Sequence, residues 1–287
     1  MKQSYFKYFA ALLLFGSNGI VASYISLSSY EIVLLRALLG CLLLIGIFFL
    51  TGHRLTVQRT PKDFLFIALS GVAMAADWLL LFEAYAQIGV SLGMIINYSG
   101  PAIVITFSVL FLKEKVTWIK TLALISAFMG VFLISGQAAG IGVNPLGLLC
   151  AALSAFSYAA MVIFNKMAKQ IKGIENATLQ LFFAFIAIAI FVGCKQGFHM
   201  NIATNDWLPI LWIGLINTGL SCYFYFSSIS ILPVQTVAVC GYLEPLSAVI
   251  LSVIVLREIM LPLQIIGAVL IIGGAVFGEC YTGGKRQ

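Results

Sequence analysis

Long apolar runs alternate with short polar breaks along the whole chain. Each run approaches the roughly 20 residues that a helix needs to cross the hydrocarbon core of a membrane. The breaks carry turn residues or charges, as at 52–54 and 201–206. The pattern predicts ten membrane-spanning helices over residues 5–23, 30–50, 63–85, 91–112, 117–135, 146–166, 177–194, 207–227, 234–256 and 262–280.

One stretch of the chain occurs twice, at an offset of 144 positions. The first copy begins at Asn97 and the second at Gly241, and the first identical pair is Tyr98 and Tyr242. The duplication predicts two repeats of five helices each, over residues 1–137 and 145–281. Further identical pairs follow at the same offset without a gap: Pro101 and Pro245, Ser108 and Ser252, Val109 and Val253, Leu112 and Leu256, Glu114 and Glu258, and Gly130 and Gly274.

The distribution of lysine and arginine predicts the orientation of these helices. With the N-terminus in the cytoplasm, 13 of the 16 basic residues fall in cytoplasmic segments or at the adjoining helix ends. Both termini are then cytoplasmic. Five helices is an odd number, so the two repeats cross the membrane in opposite directions. We therefore expect an all-α membrane protein with ten transmembrane helices, arranged as two inverted five-helix repeats.

Composition excludes several other classes of protein. The chain is 62% hydrophobic and only 9% charged, against about 25% charged residues in ordinary soluble domains. Lipid is therefore the expected environment. The net charge of +6 is scattered over the breaks, which does not indicate a nucleic-acid partner. The two histidines lie in breaks and no HExxH or CxxC motif occurs, so neither an enzyme nor a cofactor or metal site is expected.

Charged residues inside the predicted spans are candidates for function, because a charge in the bilayer must face a cavity or a partner. Glu244 lies midway along the ninth span beside Pro245, where a freed backbone carbonyl opens the helix. Glu244 could bind a substrate amine, take up a proton, or only join neighbouring helices. Asp77 in the third span is a candidate specificity or coupling residue, or else a charge partner of Arg36. Glu83 is expected at the solvated outer rim.

Aromatic and amide side chains inside the spans could complete a binding pocket. An aromatic lining with a carboxylate suits an organic cation through cation–π attraction, and it also suits an amino acid. For each tyrosine, helix packing with a hydroxyl bonded across helices is the alternative. The predicted substrate-binding set is Asn18, Asp77, Trp78, Asn97, Tyr98, Tyr158, Tyr242 and Glu244.

These features resemble the drug/metabolite transporter superfamily, of the type built from two EamA domains. The residues that carry the resemblance are 15–18, Arg36, the two blocks 101–114 and 245–258, and the paired glycines Gly130 and Gly274. The resemblance implies a cavity lined mainly by spans 1, 3, 4, 6, 8 and 9, with span 2 outside it. It also implies structural or gating roles, which we assign to Arg36, Pro101, Glu114, Pro245 and Glu258. For Arg36, binding of a substrate carboxylate is the alternative.

The expected function is that of a secondary active transporter in the cell membrane. The substrate would be a small polar metabolite, with an amine-bearing compound such as an amino acid or organic cation favoured. Alternating access and export are the expected mechanism. Proton coupling through Asp77 or Glu244 is one option for it, and substrate exchange or facilitated diffusion is an equal alternative. Import or exchange of a neutral nucleobase or sugar stays open, and a channel is a further alternative. One chain holds both repeats, so a monomer suffices and a dimer is allowed.

Overall fold

The computed structural model describes residues 2–53, 55, 61–88, 93, 96–112, 117–135, 144–256 and 262–283. All regular structure within these residues is helical, and they contain no strand. The helices of the first half are α1 (Lys2–Gly16), α2 (Asn18–Ala22), α3 (Ser29–Leu50), α4 (Pro61–Ile88), α5 (Gly100–Leu112) and α6 (Trp118–Ser135).

The second half repeats this order with more interruptions. Its elements are α7 (Pro145–Met167), α8 (Gly173–Lys195), a short 3₁₀ turn (Thr204–Asp206), α9 (Trp207–Leu211), a π-helix (Trp212–Leu220), α10 (Ser221–Ile229), α11 (Val234–Gly241), α12 (Leu243–Leu256) and α13 (Pro262–Gly283). Ser29 and Gly173, which begin α3 and α8, are 144 positions apart, as are the starts of α6 and α13.

Local sequence explains where several helices begin. The Ser28 side chain accepts from the Glu31 backbone while the Glu31 carboxylate accepts from the Ser28 backbone, a capping box at the start of α3. Asn144 caps α7 and is followed by proline, which needs no hydrogen-bond acceptor at the first helical position. Pro101 is the second residue of α5, and Pro245 is the third residue of α12. The helix around Pro245 is broken at Tyr242 rather than continuous, so this proline lies in a first turn.

Six helical stretches of the described residues are long and apolar enough to cross a membrane: Lys2–Ala22, Ser29–Leu50, Pro61–Tyr85, Pro145–Met167, Gly173–Lys195 and Thr204–Ile229. Large apolar side chains such as Leu42, Phe49 and Ile190 are exposed on their outer faces. Such faces require lipid rather than water. The protein is therefore a helical membrane protein.

The helices form one bundle with two distinct ends. At the first, which we call the mouth end, the 23–28 loop meets the 3₁₀ turn, and the Ser26 amide donates to the Asp206 carboxylate at 3.1 Å. The order of the helices places the 51–53, 168–172 and 230–233 connections at the second end, the base end, together with the start of α1. There the Gln170 amide donates to the Asp63 carboxylate at 2.6 Å.

The long contacts of the bundle run between its two halves. α4 packs along α7 and α8, α1 along α10 and α12, and α6 along α13. One large core of buried side chains joins these helices, with Tyr8, Leu44, Ile188, Phe226 and Tyr242 among its members. Because both halves contribute side chains to that core, a cavity inside it is lined by both halves.

Candidate functional site

A cavity of about 740 Å³ lies inside the bundle, between the two halves of the chain. Its wall includes exposed residues of the mouth end, Gly19, Ser23 and Ser29, so it reaches the surface there. Toward the base end it stops at Leu12 and Phe226, both of which are almost fully buried. The volume is in the range of small-molecule binding sites.

Most residues predicted to bind substrate are brought together around this cavity. Asn18, Asp77, Trp78, Asn97, Tyr98, Tyr158 and Glu244 all line it, as do Arg36 and Pro101 from the structural set. Tyr242 lies behind the wall instead: it is fully buried, and its hydroxyl donates to the Tyr98 carbonyl oxygen at 2.8 Å. Glu114 and Glu258 lie outside the described residues.

Asp77 is held in place by an amide from the start of the fourth span. The Asn97 side-chain nitrogen donates to one Asp77 oxygen at 3.0 Å and to the Ser154 hydroxyl at 2.9 Å. The Ser154 hydroxyl in turn donates to the Ala151 carbonyl in α7. Both donors of the Asn97 amide are thereby used. The chain of bonds fixes the Asp77 carboxylate against α7, across the boundary between the two halves.

Arg36 reaches the cavity from α3 and is the single cation among its described lining residues. Its Nε donates to the Thr218 hydroxyl at 2.9 Å, and its guanidinium carbon lies 4.5 Å from the Trp78 ring centroid. No described ion pair joins it to Asp77, so the charge partnership considered for these two residues is not formed. The guanidinium is stabilised by a π-face and a hydroxyl instead.

Two features of the Arg36 environment correct or extend the sequence analysis. The expectation that the second span stays outside the cavity is wrong, because Ser29, Ile32 and Arg36 of α3 line it. The partner Thr218 belongs to the π-helix, where its hydroxyl also donates to the Ile213 carbonyl five residues earlier. A π-helix changes which residues face inward, and such segments are frequent at functional sites. The sequence did not predict this π-helix, because an analysis based on the α-helical period of 3.6 residues does not detect it.

Glu244 lies in the first turn of α12, directly after the break at Tyr242. Its carboxylate lines the cavity. Within the described part of the chain it has neither a hydrogen-bond donor nor an ion-pair partner. The N-terminus of a helix favours a negative charge, which helps to hold a carboxylate at this position. Glu244 therefore presents an acceptor group to whatever enters the cavity.

Rings and amides fill the wall between these charged groups. Phe15, Phe82 and Tyr85 join the predicted aromatic residues, and the Tyr158 and Tyr225 hydroxyls lie 3.3 Å apart. The Asn18 side-chain oxygen is buried and has no hydrogen-bond partner among the described residues. A buried acceptor without a donor is costly in a folded protein. A ligand that donates hydrogen bonds would satisfy it.

Glu83 lies at the rim of the mouth end, as the sequence indicated. Its carboxylate pairs with Lys195 at 3.1 Å, and the two side chains are 26% and 43% exposed. The Tyr30 hydroxyl contacts the same carboxylate and accepts from Lys195 at 2.8 Å. The cluster ties α3, α4 and α8 together beside the cavity entrance. Sequence alone gave no sign that Tyr30 and Lys195 would meet there.

The base end is closed by hydrogen bonds between helix termini. The Tyr8 hydroxyl donates to the Val237 carbonyl at 2.7 Å, and Tyr8 is fully buried. Lys166 donates to the Leu232 carbonyl. Lys7 lies over the Tyr223 ring, 4.7 Å from its centroid. These contacts separate the cavity from the base end.

A largely apolar cavity that carries a few charged and amide side chains, is enclosed by membrane helices and reaches one end of the bundle is typical of membrane transport proteins. The chain belongs to the EamA-like transporter family, whose model matches it twice, over residues 3–136 and 145–277. The predicted repeat boundaries, 1–137 and 145–281, are wider than these matches and stay a prediction. In agreement with the family, the protein is a transporter and not an enzyme.

Individual relatives agree with this assignment. The chain is similar to the uncharacterized transporter YxxF of Bacillus subtilis, with 24% identity over 85% of this chain and 79% of that protein. It is also similar to the uncharacterized inner membrane transporter YicL of Salmonella typhimurium, with 21% identity over 86% and 85% of the two chains. A solved crystal structure superimposes with a TM-score of 0.84 at 18% identity, over 97% and 98% of the two chains, which shows the shared fold.

Proposed function

We propose that this protein is a secondary active transporter that moves a small amine-bearing metabolite across the cell membrane by alternating access. The observation that carries the proposal is the asymmetry of the bundle. The cavity reaches the mouth end, while the Tyr8 hydroxyl and its neighbours close the base end. A site that is open to one side and sealed from the other is what one state of such a cycle requires.

The charges of the cavity support an amine-bearing substrate. The Glu244 carboxylate has no hydrogen-bond or ion-pair partner among the described residues, and one Asp77 oxygen is free of the Asn97 amide. The Tyr98 ring can receive a cation on its face, as the Trp78 ring already does with Arg36. Arg36 uses only its Nε for Thr218, which leaves further guanidinium donors for a carboxylate. An amino acid would match both charges, and an organic cation would match the carboxylates alone.

The proposal includes a topology. Ten membrane-spanning helices in two inverted repeats, with both termini in the cytoplasm, would place the mouth end outside the cell. The near-constant offset between helix starts in the two halves supports the duplication. The excess of basic residues on one side supports the orientation. We further propose export as the direction, as the resemblance implies, with Asp77 or Glu244 as the proton-coupling group.

A ligand screen on the purified protein tests the substrate class. Its melting temperature would be measured with amino acids, quaternary amines, polyamines, nucleobases and sugars. We expect an amine-bearing compound to raise it, because a ligand that binds only the folded protein stabilises that state. The shift should disappear in Asp77→Asn or Glu244→Gln. The matched control is Glu83→Gln, which makes the same chemical change on α4 outside the cavity.

The outcomes separate the alternatives. Stabilisation by a nucleobase or sugar alone, with unchanged responses in both cavity variants, would overturn the amine proposal. The identified compound would then be loaded into proteoliposomes, with and without a pH gradient. Efflux that saturates and follows the gradient supports proton-coupled export. Flux that rises linearly with concentration would indicate a channel.

A further inference from the structure

Three neutral amide side chains form a buried cluster near the base end. Asn165 comes from α7, and Asn176 and Gln180 come from α8. All three have no exposed surface. The Asn165 nitrogen donates to the Asn176 oxygen at 2.9 Å and to the Gln180 oxygen at 3.2 Å, and Asn176 donates back to Asn165 at 3.1 Å. We call these residues the amide cluster.

The amide cluster is not fully satisfied. The Gln180 side-chain nitrogen is buried and has no hydrogen-bond partner among the described residues. Leaving such a donor unpaired costs more than a polar group normally contributes, so an apolar residue would serve packing better. A second state in which this donor meets water or a ligand would explain its presence.

The amide cluster lies directly behind the inner end of the cavity. The Asn176 nitrogen donates to the Phe226 carbonyl at 3.2 Å, and Phe226 lines the cavity. Asn165 is next to Lys166, which donates to the Leu232 carbonyl at the base end. The amides therefore occupy the stretch between the cavity and the closed base end.

The duplication gives this position a counterpart. Ser29 and Gly173 begin α3 and α8 and are 144 positions apart. At the same offset, two residues that line the cavity near its mouth correspond to buried residues at the base end: Ile32 to Asn176 and Arg36 to Gln180. One member of each pair is open to the cavity and the other is closed.

We propose that Asn165, Asn176 and Gln180 form the lining of a second access route, which opens from the cavity to the base end when the mouth end closes. The inference rests on the proposed transport function and deepens it. Each amide both donates and accepts hydrogen bonds. The route therefore offers partners to both the ammonium and the carboxylate of an amine-bearing substrate without placing a charge in its path.

Thiol accessibility tests the route without knowledge of the substrate. Gln180→Cys and Asn176→Cys would be made in a variant whose six native cysteines are replaced, and treated with a membrane-impermeant maleimide in vesicles of either orientation. We expect slow labelling from the base end only. Adding Tyr8→Phe removes the bond to Val237. Losing one buried hydrogen bond should accelerate labelling about five-fold, the population shift such a bond supplies.

Two control positions make the result decisive. Ile188→Cys, on the same helix and equally buried in the apolar core, should stay unlabelled throughout, which excludes general loosening of the protein. Ile32→Cys should label from the mouth end, and more slowly once Tyr8→Phe is added. Labelling of Gln180→Cys from the mouth end, or its absence with Tyr8→Phe present, would overturn the route.

The same data separate the two proposals. If Ile32→Cys becomes protected while both α8 cysteines stay unlabelled, access alternates but does not pass the amide cluster, which is then only a cross-link between helices. If Ile32→Cys labels at one constant rate in every variant, access does not alternate, and the proposed transport mechanism itself fails.

Discussion

Arg36 and Gln180 occupy the same place in the two halves of the chain, yet their surroundings differ. Arg36 faces the cavity, with its charge stabilised by the Trp78 ring and the Thr218 hydroxyl. Gln180 is fully buried among neutral amides. Burying an unpaired charge costs far more than burying an amide. The base end can close around Gln180, whereas closure around Arg36 would need a substrate group or another partner for the guanidinium.

The largest effect is expected when the two equivalent positions, 36 and 180, carry the same residue. Arg36→Gln removes the guanidinium and leaves the residue found at the equivalent position. Hydrogen bonds to a charged group contribute about 1.5–3 kcal/mol, so affinity for a carboxylate-bearing substrate should fall roughly tenfold to hundredfold. Thermal-shift titration with the compound from the screen would measure it. An unchanged affinity would mean that Arg36 does not touch the substrate, and Arg36→Lys would show whether charge alone suffices.

A smaller effect is expected where Asn97 joins the two halves at the mouth end. Asn97→Ala removes the bonds to Asp77 and Ser154. At about 1 kcal/mol for each bond, the free energy of unfolding should fall by about 2 kcal/mol. Denaturant unfolding in detergent would measure it. Asn205→Ala, at an exposed position, is the matched control. Equal stabilities of Asn97→Ala and Asn205→Ala would show that the two Asn97 hydrogen bonds do not stabilise the contact between the halves.

Removing one hydroxyl group should weaken the closed base end. Tyr8→Phe removes a single buried hydrogen bond, to the Val237 carbonyl. The expected loss is about 1 kcal/mol of stability. Tyr24→Phe makes the same change on a side chain that is 59% exposed, and should leave stability unaltered. A Tyr8→Phe protein as stable as the wild type would show that this hydroxyl does not hold the base end closed.

The smallest effect belongs to the rim of the mouth. Glu83→Gln breaks an ion pair whose side chains are both partly exposed, and such pairs contribute about 0.2–1 kcal/mol. The loss should shrink further as salt is added, since salt screens exposed charges. The interaction between Glu83 and Lys195 can be measured from melting temperatures at low and high ionic strength. The proteins compared would be the wild type, Glu83→Gln, Lys195→Gln and the double variant. A large, salt-independent loss would make this cluster part of the core rather than of the rim.

Much of the cavity could be predicted from the sequence, because charges and amides are rare in apolar spans. Asp77, Asn97 and Glu244 stood out for that reason, and all three line one cavity. Their roles as binding residues stay predictions. The helical segments also follow the predicted apolar runs closely. Only the longer of them meet the length and hydropathy expected of membrane crossings.

What the sequence could not provide are the contacts between distant segments. Thr218 looked like an ordinary small polar residue, and only the π-helix turns it toward Arg36. Tyr242 looked equivalent to Tyr98, but its hydroxyl donates to the Tyr98 carbonyl oxygen behind the cavity wall. The offset of the repeats predicts which residues correspond. It cannot predict which member of a pair is exposed, because that depends on the state of the bundle.

Gly16 lies where α1 meets the start of α12. A side-chain carbon there would be 1.9 Å from the Ser247 hydroxyl and 2.8 Å from the Glu244 carbonyl, so the two backbones touch with no side chain from α1 between them. A contact of this kind freezes no rotamer on the glycine side when it forms and releases none when it parts. Movement at this joint would therefore carry almost no change in side-chain entropy on the α1 side.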